Sequence, residues 1–225
     1  MEDLASLYRF RFKEADLPGK MRIWQCLCKG FFQQFVPAGA TVLDVACGYG
    51  EFINNIQAGK KLAIDLNPDT QQFLNKDVIF HQTRADEMAS IPDGSVDVAF
   101  VSNFLEHLES KASCDAVLRE VLRVLRPGGT FVVMGPNIRY LAGEYWDFYD
   151  HHLPLSHMSL EEGLAINGFA IKKNIAKFLP YTTRSALPQH VLLVALYLKL
   201  PIVWRVLGKQ FLLVAEKPSG EHMGA

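Results

Sequence analysis

The sequence predicts an α/β fold with a mostly parallel sheet of seven strands and helices on both faces. Short apolar runs alternate along the chain with segments whose apolar residues recur every three or four positions. Such alternation is typical of crossover connections between parallel strands, and a sheet of this kind is covered on both faces. The chain has 225 residues, of which 49% are hydrophobic, which is enough for a buried core.

Each element follows from these patterns in chain order. Residues 17–36 are predicted to be helical and to end at the breaker Pro37-Ala38-Gly39. A capping box of Ser159 and Glu162 predicts the start of a later helix. The other predicted helices are 52–58, 69–75 and 114–125. The predicted strands are 41–45, 61–65, 78–81, 96–102, 130–134, 169–173 and 211–216.

Charge and cysteine usage narrow the class of protein. The formal net charge is -1, from 23 Lys or Arg and 24 Asp or Glu, so no basic surface for DNA or RNA is expected. The four cysteines lack the paired spacing of a zinc site and are predicted to be reduced thiols of a cytoplasmic protein. The N-terminus carries no basic region followed by an apolar stretch, so no signal peptide is expected.

A glycine-containing turn follows the first predicted strand, in the stretch VLDVACGYGE at 42–51. A dinucleotide loop requires G-x-G-x-x-G, and the best alignment puts Ala46 at the first of these glycines and Glu51 at the third. A glutamate at the third position fits poorly, because that glycine allows close packing of helix on strand. The phosphate-loop motif is also missing from the sequence, so a cofactor with little or no phosphate fits the turn better.

An acidic residue, Asp65, ends the second predicted strand. In parallel sheets the ligand lies beyond the carboxyl ends of the strands. A carboxylate at this place can accept hydrogen bonds from the two vicinal hydroxyls of a ribose. The alternative interpretation is that Asp65 caps the helix that follows Asn67-Pro68.

The motif Asp44-Val-Ala46-Cys47-Gly48-Tyr-Gly50 resembles the first motif of class I methyltransferases that use S-adenosylmethionine. The usual form of that motif is D/E-x-G-x-G-x-G, and Ala46 replaces its first glycine. Segments 91–108 and 122–129 resemble later parts of the same family in the same order. The resemblance implies a Rossmann-like fold and S-adenosylmethionine as the cofactor. It also implies one domain over 1–225, with a helical cap at 1–40, a cofactor-binding core at 41–137, and an acceptor region at 138–225 that contains a helical insertion at 179–210.

The family pattern also implies which residues bind the cofactor. Small residues in the turn let the main chain approach the methionine part of the cofactor. Asp86 corresponds to the acid that contacts the adenine amine, although a plain surface acid is the other interpretation. The implied cofactor-binding residues are Asp44, Ala46, Cys47, Gly48, Gly50, Asp65, Leu66, Asp86 and Asn103.

The acceptor is expected to be a small molecule. Methyltransferases that act on amino groups of DNA carry [DNS]-P-P-[YFW] after the fourth strand, whereas this chain reads SNFL at 102–105. Aromatic faces beside carboxylates and imidazoles, as found at 137–152, suit a sugar, although several of these aromatics could instead close the core beneath the loop. The predicted acceptor-binding residues are Asn137, Tyr140, Tyr145, Trp146 and His151.

This loop and the insertion together resemble bacterial methyltransferases of cell-surface polysaccharide or glycolipid pathways. The resemblance implies methylation of a hydroxyl on a sugar or glycolipid. A quinone-like or lipid acceptor, or a scaffold that binds the cofactor without catalysis, is the alternative.

His107 and His152 are the predicted catalytic residues, because an imidazole titrates near neutral pH and can act as a base. Glu106, His107 and His152 also resemble the metal ligands of some family branches. Those branches have a further glutamate where this chain has Asn103, so no metal is expected.

The insertion carries an apolar run at 191–198 that is too short to span a bilayer. Residues 187–207 could make a peripheral membrane contact, with Leu, Val and Trp204 exposed and Lys199, Arg205 and Lys209 at the edge. A lid, a dimer surface, and a helix pair packed on the core are the alternatives. The sequence predicts no oligomeric state.

Overall fold

The computed structural model describes residues 17–141, 143–181 and 190–219. Residues 1–16 of the predicted cap, and 182–189 of the predicted insertion, lie outside the described residues. The four cysteines are all described, and each is a free thiol.

The predicted α/β fold with a seven-stranded, mostly parallel sheet is confirmed. The strand order is β3-β2-β1-β4-β5-β7-β6. The first five strands are parallel to one another, and β7 runs antiparallel to both β5 and β6. The strands are β1 Thr41–Val45, β2 Lys60–Asp65, β3 Val78–Gln82, β4 Val96–Ser102, β5 Leu125–Pro136, β6 Ala170–Ile175 and β7 Gln210–Glu216.

Helices cover both faces of this sheet. They are α1 Leu17–Gly30, α2 Lys111–Val124, α3 His157–Ile166, α4 Val191–Leu198 and α5 Pro201–Leu207. Because side chains alternate along a strand, Val42 joins the core beneath α1, α4 and α5, whereas Leu43 and Val45 join the core beneath α2 and α3. This alternation is what allows both faces of the sheet to be buried.

Several predicted boundaries are corrected by local hydrogen bonds. Helix α3 begins two residues before the predicted start, because the capping box is formed by Ser156 and Ser159 and not by Ser159 and Glu162. The predicted helix at 52–58 is a series of turns. The predicted helix at 69–75 is a 3₁₀ helix, Pro68–Phe73, capped by the side chain of Asn67. Strand β5 begins at Leu125, so it includes the Pro-Gly-Gly sequence that was expected to precede it.

The insertion is anchored to the sheet by Trp204, which corrects the prediction that this residue is exposed. Trp204 is 9% exposed, and its ring lies 5.7 Å from that of Phe31 and 5.1 Å from that of Phe178. Its indole nitrogen donates a hydrogen bond to the carbonyl of Tyr197 over 2.7 Å. The aromatic residue therefore fixes α5 to the core and turns the other side of that helix to solvent.

The chain segments that follow strands β1 to β5 all begin at one edge of the sheet. The register pairs Val45 with Ile64, and Ser102 with Met134. Strand β7 starts at the same edge, since Gln210 pairs with Pro136. The insertion between β6 and β7 consequently lies beside the edge at which a parallel sheet binds its ligand.

We expect Trp204→Ala to lower the free energy of unfolding by about 3–5 kcal/mol, because it empties a buried aromatic site. The matched variant is Ile202→Ala on the same helix, where the side chain is 66% exposed; its effect should stay within about 0.5 kcal/mol. Urea denaturation measures both. Equal losses would contradict the orientation of α5.

Candidate cofactor and acceptor site

The turn after β1 has a backbone that favours glycine. Three of its residues lie in the left-handed region: Ala46 with φ 55°, Gly48 with φ 55° and Gly50 with φ 73°. Glycine adopts this conformation freely, whereas alanine does so at a steric penalty. Ala46, which stands where the family motif has glycine, therefore holds the only one of these three positions that is strained by a side chain.

Asp65 holds this turn against the end of β2. Its Oδ2 accepts a hydrogen bond from the amide of Gly48 over 2.8 Å, and its Oδ1 accepts one from the amide of Asn67 over 2.8 Å. Burial raises the pKa of Asp65, and these hydrogen bonds partly oppose that rise. A carboxylate has about four lone-pair sites, so two amide bonds leave acceptor capacity for ribose hydroxyls.

The two glycines of the turn differ in the space around them. A Cβ atom at Gly50 would lie 2.5 Å from Cδ2 of Leu74 and 2.9 Å from Nδ2 of Asn54. A Cβ atom at Gly48 would meet only Oε2 of Glu51, at 3.8 Å. Gly50 is therefore required by packing, whereas the position of Gly48 leaves room that a ligand can use.

Two more carboxylates lie close to the turn. Asp44 is 3% exposed, and its Oδ2 has no hydrogen-bond partner in the described part of the chain. Burial, followed by the charge of Glu51, raises the pKa of Asp44 well above its ordinary value. Glu51 is also buried and pairs with Lys20 of α1, with Nζ 2.5 Å from Oε1. This group of acids favours a cationic ligand beside the turn.

The other predicted cofactor residues lie near the same edge but have varied surroundings. Cys47 is buried, and burial raises the pKa of its thiol, so it is not a reactive thiolate. Leu66 is 43% exposed immediately after Asp65. Asp86 accepts two hydrogen bonds from Arg84, over 2.8 and 2.7 Å, which lowers the pKa of its carboxyl. An adenine amine would have to share Asp86 with that guanidinium.

An open depression of about 340 Å³ lies next to Asp86 in the chain. No residue of the glycine turn lines it, so it is distinct from the space at Gly48. Its lining residues are His81, Gln82, Thr83, Glu87, Ala89 and Ser90.

The segment after β4 directs a histidine to this edge. Asn103 is exposed and adopts φ 50°, and its backbone N–H donates to the carbonyl of Met134 over 3.0 Å. The left-handed residue turns the chain into a 3₁₀ helix, Leu105–His107. His107 is half-buried, and its Nδ1 lies 3.0 Å from Oδ2 of Asp150 and 3.1 Å from the carbonyl oxygen of the same residue.

The charges around His107 favour its protonated form. Burial would lower its pKa, but the hydrogen bond to Asp150 and the charges of Glu106 and Asp150 outweigh burial, so the pKa is raised above its ordinary value. Because Nδ1 donates to Asp150, the neutral imidazole presents Nε2 as its acceptor. This arrangement is that of a histidine held by a carboxylate, ready to accept a proton.

His151, and not His152, joins this cluster. One ligand atom each of Glu106, His107 and His151 lies within 4.8 Å of the others, close enough to hold a metal ion. The ring of His151 lies 5.0 Å from that of His107. The imidazole of His152 is exposed, while its amide donates to the carbonyl of Glu106. The adjacent positions alternate in direction, which the sequence pattern could not assign.

The loop after β5 contains both buried and exposed members of the predicted acceptor set. Tyr145 is fully buried and donates a hydrogen bond of 2.5 Å to the carbonyl of Leu153. Asn137 is also fully buried, and its Nδ2 is 2.9 Å from Nδ1 of His157. Trp146 is 55% exposed. Asn137 and Tyr145 therefore shape the loop, and Trp146 presents a face to solvent.

Tyr140 is half-exposed within the same loop. Its ring stacks against that of His157 at 6.3 Å, and Nζ of Lys177 lies 4.5 Å from its centre. The role of these residues in binding an acceptor stays a prediction.

Two residues of the site were missed by the sequence reasoning. Asp150 lies in the aromatic stretch that was predicted to contact the acceptor, but nothing in the sequence paired it with His107. Lys20 carried no motif, and only the fold brings it to Glu51. A search for acids near each candidate histidine would have found Asp150 as one option among several.

Comparison with known proteins supports the resemblance found in the motifs. Residues 43–133 match a family described as "Methyltransferase domain". The match covers 91 of the 225 residues. The matched residues lie within 41–137, which was predicted to be the cofactor-binding core; the single domain over 1–225 stays a prediction.

Relatives of the methyltransferase domain differ in what their names say they act on. The human thiol S-methyltransferase TMT1A is 34% identical over 52% of this chain and 51% of its own length. A "Probable S-adenosylmethionine-dependent methyltransferase" of Mycolicibacterium smegmatis is 31% identical over 63% of this chain and 56% of its own length. The chain thus spans about half the length of these relatives.

The fold agrees with that of a solved methyltransferase. A SAM-dependent methyltransferase from Archaeoglobus fulgidus superposes with a TM-score of 0.66 at 20% identity, covering 96% of this chain and all of that one, 100%. The predicted cofactor, S-adenosylmethionine, is confirmed for the methyltransferase domain by the domain match and the named relative.

The residues present fit this cofactor. It carries a sulfonium and an ammonium, both cationic, which suit the buried carboxylates; among these, Oδ2 of Asp44 has no hydrogen-bond partner within the described residues. Its ribose suits the remaining acceptor capacity of Asp65. The space at Gly48 allows close approach to the main chain.

We expect Gly48→Ala and Gly50→Ala to separate cofactor binding from folding. Both variants place alanine at a positive φ, which costs about 1–2 kcal/mol. Gly50→Ala adds an overlap with Leu74 and Asn54 and should lower the free energy of unfolding by a further 1–3 kcal/mol or so. Gly48→Ala should instead weaken binding of S-adenosylmethionine, because its methyl group fills the space that the cofactor requires.

Urea denaturation and calorimetric titration measure the two effects. Unchanged cofactor affinity in a folded Gly48→Ala variant would place the cofactor elsewhere.

Proposed function

We propose that this protein transfers a methyl group from S-adenosylmethionine to a hydroxyl of a small-molecule acceptor, with His107 as the general base. The single observation that supports the proposal is the His107–Asp150 pair, at the same edge of the sheet as the glycine turn. A hydroxyl must lose its proton as its oxygen is methylated, so a base at this edge matches that chemistry.

The protein would supply position and a proton acceptor. Asp44, Gly48 and Asp65 hold the cofactor, which when bound supplies a methyl group on a positively charged sulfur. Asp150 fixes the tautomer of His107, and Nε2 accepts the proton of the acceptor hydroxyl. Asp150 then stabilises the imidazolium through a hydrogen bond of 3.0 Å.

The acceptor we propose is a hydroxyl of a sugar or glycolipid. Trp146 and Tyr149 are 55% and 93% exposed, and they belong to the loop that supplies Asp150. Exposed aromatic faces can stack on the C–H faces of a sugar while nearby polar groups bind its hydroxyls.

Two other acceptor classes have their own support. A relative named as a thiol S-methyltransferase suggests a thiol, which needs less help from a base because its pKa is about 8.5. Exposed apolar side chains on α4 and α5 suggest a quinone-like or lipid acceptor. These helices lie beside the edge of the sheet that carries the glycine turn and His107. A screen with labelled cofactor over sugars, glycolipids, quinone-like phenols and thiols distinguishes these classes.

We expect the rate to depend on the protonation of His107. The raised pKa means that the base is neutral only above that pKa, so kcat/KM should rise with pH and level off above an apparent pKa higher than about 6.5, the ordinary value. Asp150→Asn should move the inflection to lower pH, because it removes the charge that favours the imidazolium. His107→Gln should lower kcat by about 10²–10⁴-fold while calorimetry shows unchanged cofactor affinity.

The matched control is His152→Gln, whose side chain is exposed. A loss of kcat in His152→Gln with full activity in His107→Gln would assign the base to His152. Full activity in both variants would reject base catalysis by either residue. Absence of transfer to every acceptor, with intact cofactor binding, would favour a scaffold. Loss of activity in a chelator, restored by a divalent metal, would assign a metal to Glu106, His107 and His151.

A further inference from the structure

The outer sides of α4 and α5 carry a group of exposed apolar side chains. Among the described residues, thirteen large apolar side chains are exposed, and seven of them lie at 192–207. Helices α4 and α5 follow each other as a helical hairpin, and we call these seven side chains the hairpin face. They are Leu192, Leu193, Leu196, Leu200, Ile202, Val206 and Leu207, with exposures between 39% and 74%. Clusters of this kind on a protein surface mark interaction sites.

The stretch of chain that carries the hairpin face contains basic residues and no acidic ones. From residue 163 to residue 215 the sequence contains seven Lys or Arg and no Asp or Glu. The rest of the chain holds 16 of the 23 Lys and Arg residues and all 24 Asp and Glu residues. Lys199 and Arg205 are exposed within the hairpin itself. The net charge of -1 therefore conceals a basic segment that includes α4 and α5, in which Lys172 and Lys209 pair with Glu216 and Glu144 and the hairpin itself contributes Lys199 and Arg205.

The hairpin is held against the core with this face outward. Tyr197 donates a hydrogen bond of 2.5 Å to the carbonyl of Phe178, and Trp204 donates to the carbonyl of Tyr197. Leu198 is buried in the core that α1 shares. The inward residues thus satisfy the core, and the exposure of the hairpin face does not come from loose packing.

We infer that the hairpin face docks on the surface of a lipid bilayer that contains anionic lipids. The apolar side chains can contact acyl chains at the bilayer surface, while the Lys and Arg side chains among them contact anionic headgroups. A second copy of this chain is disfavoured as the occupant, because a two-fold contact would place the basic segment against itself. None of the described helices has both the length and the apolar character needed to cross a bilayer, so the contact is peripheral.

Docking would turn the edge of the sheet that carries the glycine turn and His107 toward lipid. The hairpin joins β6 to β7 at that edge, where the amide of Asn137 donates to the carbonyl of Lys209 over 3.0 Å. An acceptor carried in the membrane could then reach the site without leaving the bilayer. This consequence rests on the proposed methyl transfer, whereas the docking rests on the surface alone.

Vesicle co-sedimentation of the full chain tests the docking without measuring methyl transfer. We expect binding to vesicles of phosphatidylcholine with phosphatidylglycerol, and weaker binding to phosphatidylcholine alone. Raising the ionic strength from about 0.01 M to 0.15 M should release protein, because the screening length falls from about 30 Å to 8 Å.

Two pairs of variants separate the apolar and the electrostatic contributions. Ile202→Glu with Val206→Glu should lower partitioning by about tenfold or more. The matched control is Ile166→Glu on α3, where the side chain is 75% exposed; it should have little effect. Lys199→Gln with Arg205→Gln should weaken binding to anionic vesicles, and Lys60→Gln with Lys76→Gln, at the opposite edge of the sheet, should not.

Protein that stays in the supernatant at low salt overturns the inference. So does equal loss in the hairpin and control variants. A dimer in analytical ultracentrifugation that Ile202→Glu with Val206→Glu dissociates, in protein that ignores vesicles, assigns the face to a second copy and also overturns it. His107→Gln should still bind vesicles, so failure of docking and failure of catalysis are distinguishable.

Discussion

The hydrogen bond from the amide of Gly48 to Asp65 is the contact on which the site depends. It links the turn after β1 to the end of β2, and it is possible only because parallel strands deliver both segments to one edge of the sheet. The turn must adopt positive φ values to reach that carboxylate, which explains its small residues. The resulting loop surrounds space at Gly48 and packs tightly at Gly50.

Bringing the turn and the end of β2 together also brings several buried carboxylates close to one another. Asp44 and Asp65 are both held at raised pKa values, and Glu51 is buried beside them with Lys20 as its partner. Isolated carboxylates in such surroundings are unfavourable, and a cationic cofactor bound there would stabilise their charged forms. After β4, the His107–Asp150 pair is the proposed proton acceptor. Under the proposed function, a turn that binds a cation and a base at the same edge are the parts that methyl transfer to a hydroxyl requires.

The fold and the cofactor turn could be predicted because they depend on local patterns. Apolar periodicity located the strands, and the glycine motif with Asp65 predicted S-adenosylmethionine as the cofactor. The details that depend on tertiary packing could not be predicted. Trp204 looked like a surface aromatic but fills a gap against Phe31 and Phe178. His151 and His152 are adjacent in sequence, and only the path of the loop decides which of them meets His107. The pairing of Asp150 with His107 crosses two segments and carried no spacing signal.

The number of protons released when the cofactor binds tests this account most directly. It is measured by calorimetric titration of S-adenosylmethionine below pH 7 in two buffers of different ionisation enthalpy. At these pH values the α-amino group of the cofactor, with a pKa of about 7.7–8.0, stays protonated. A bound cation lowers the raised pKa values of Asp44 and Asp65, so the account predicts that protons are released on binding and that affinity falls as the pH falls. Asp44→Asn should reduce the proton release. Heats that do not differ between buffers, with an affinity independent of pH, would contradict a cofactor site built on these buried carboxylates.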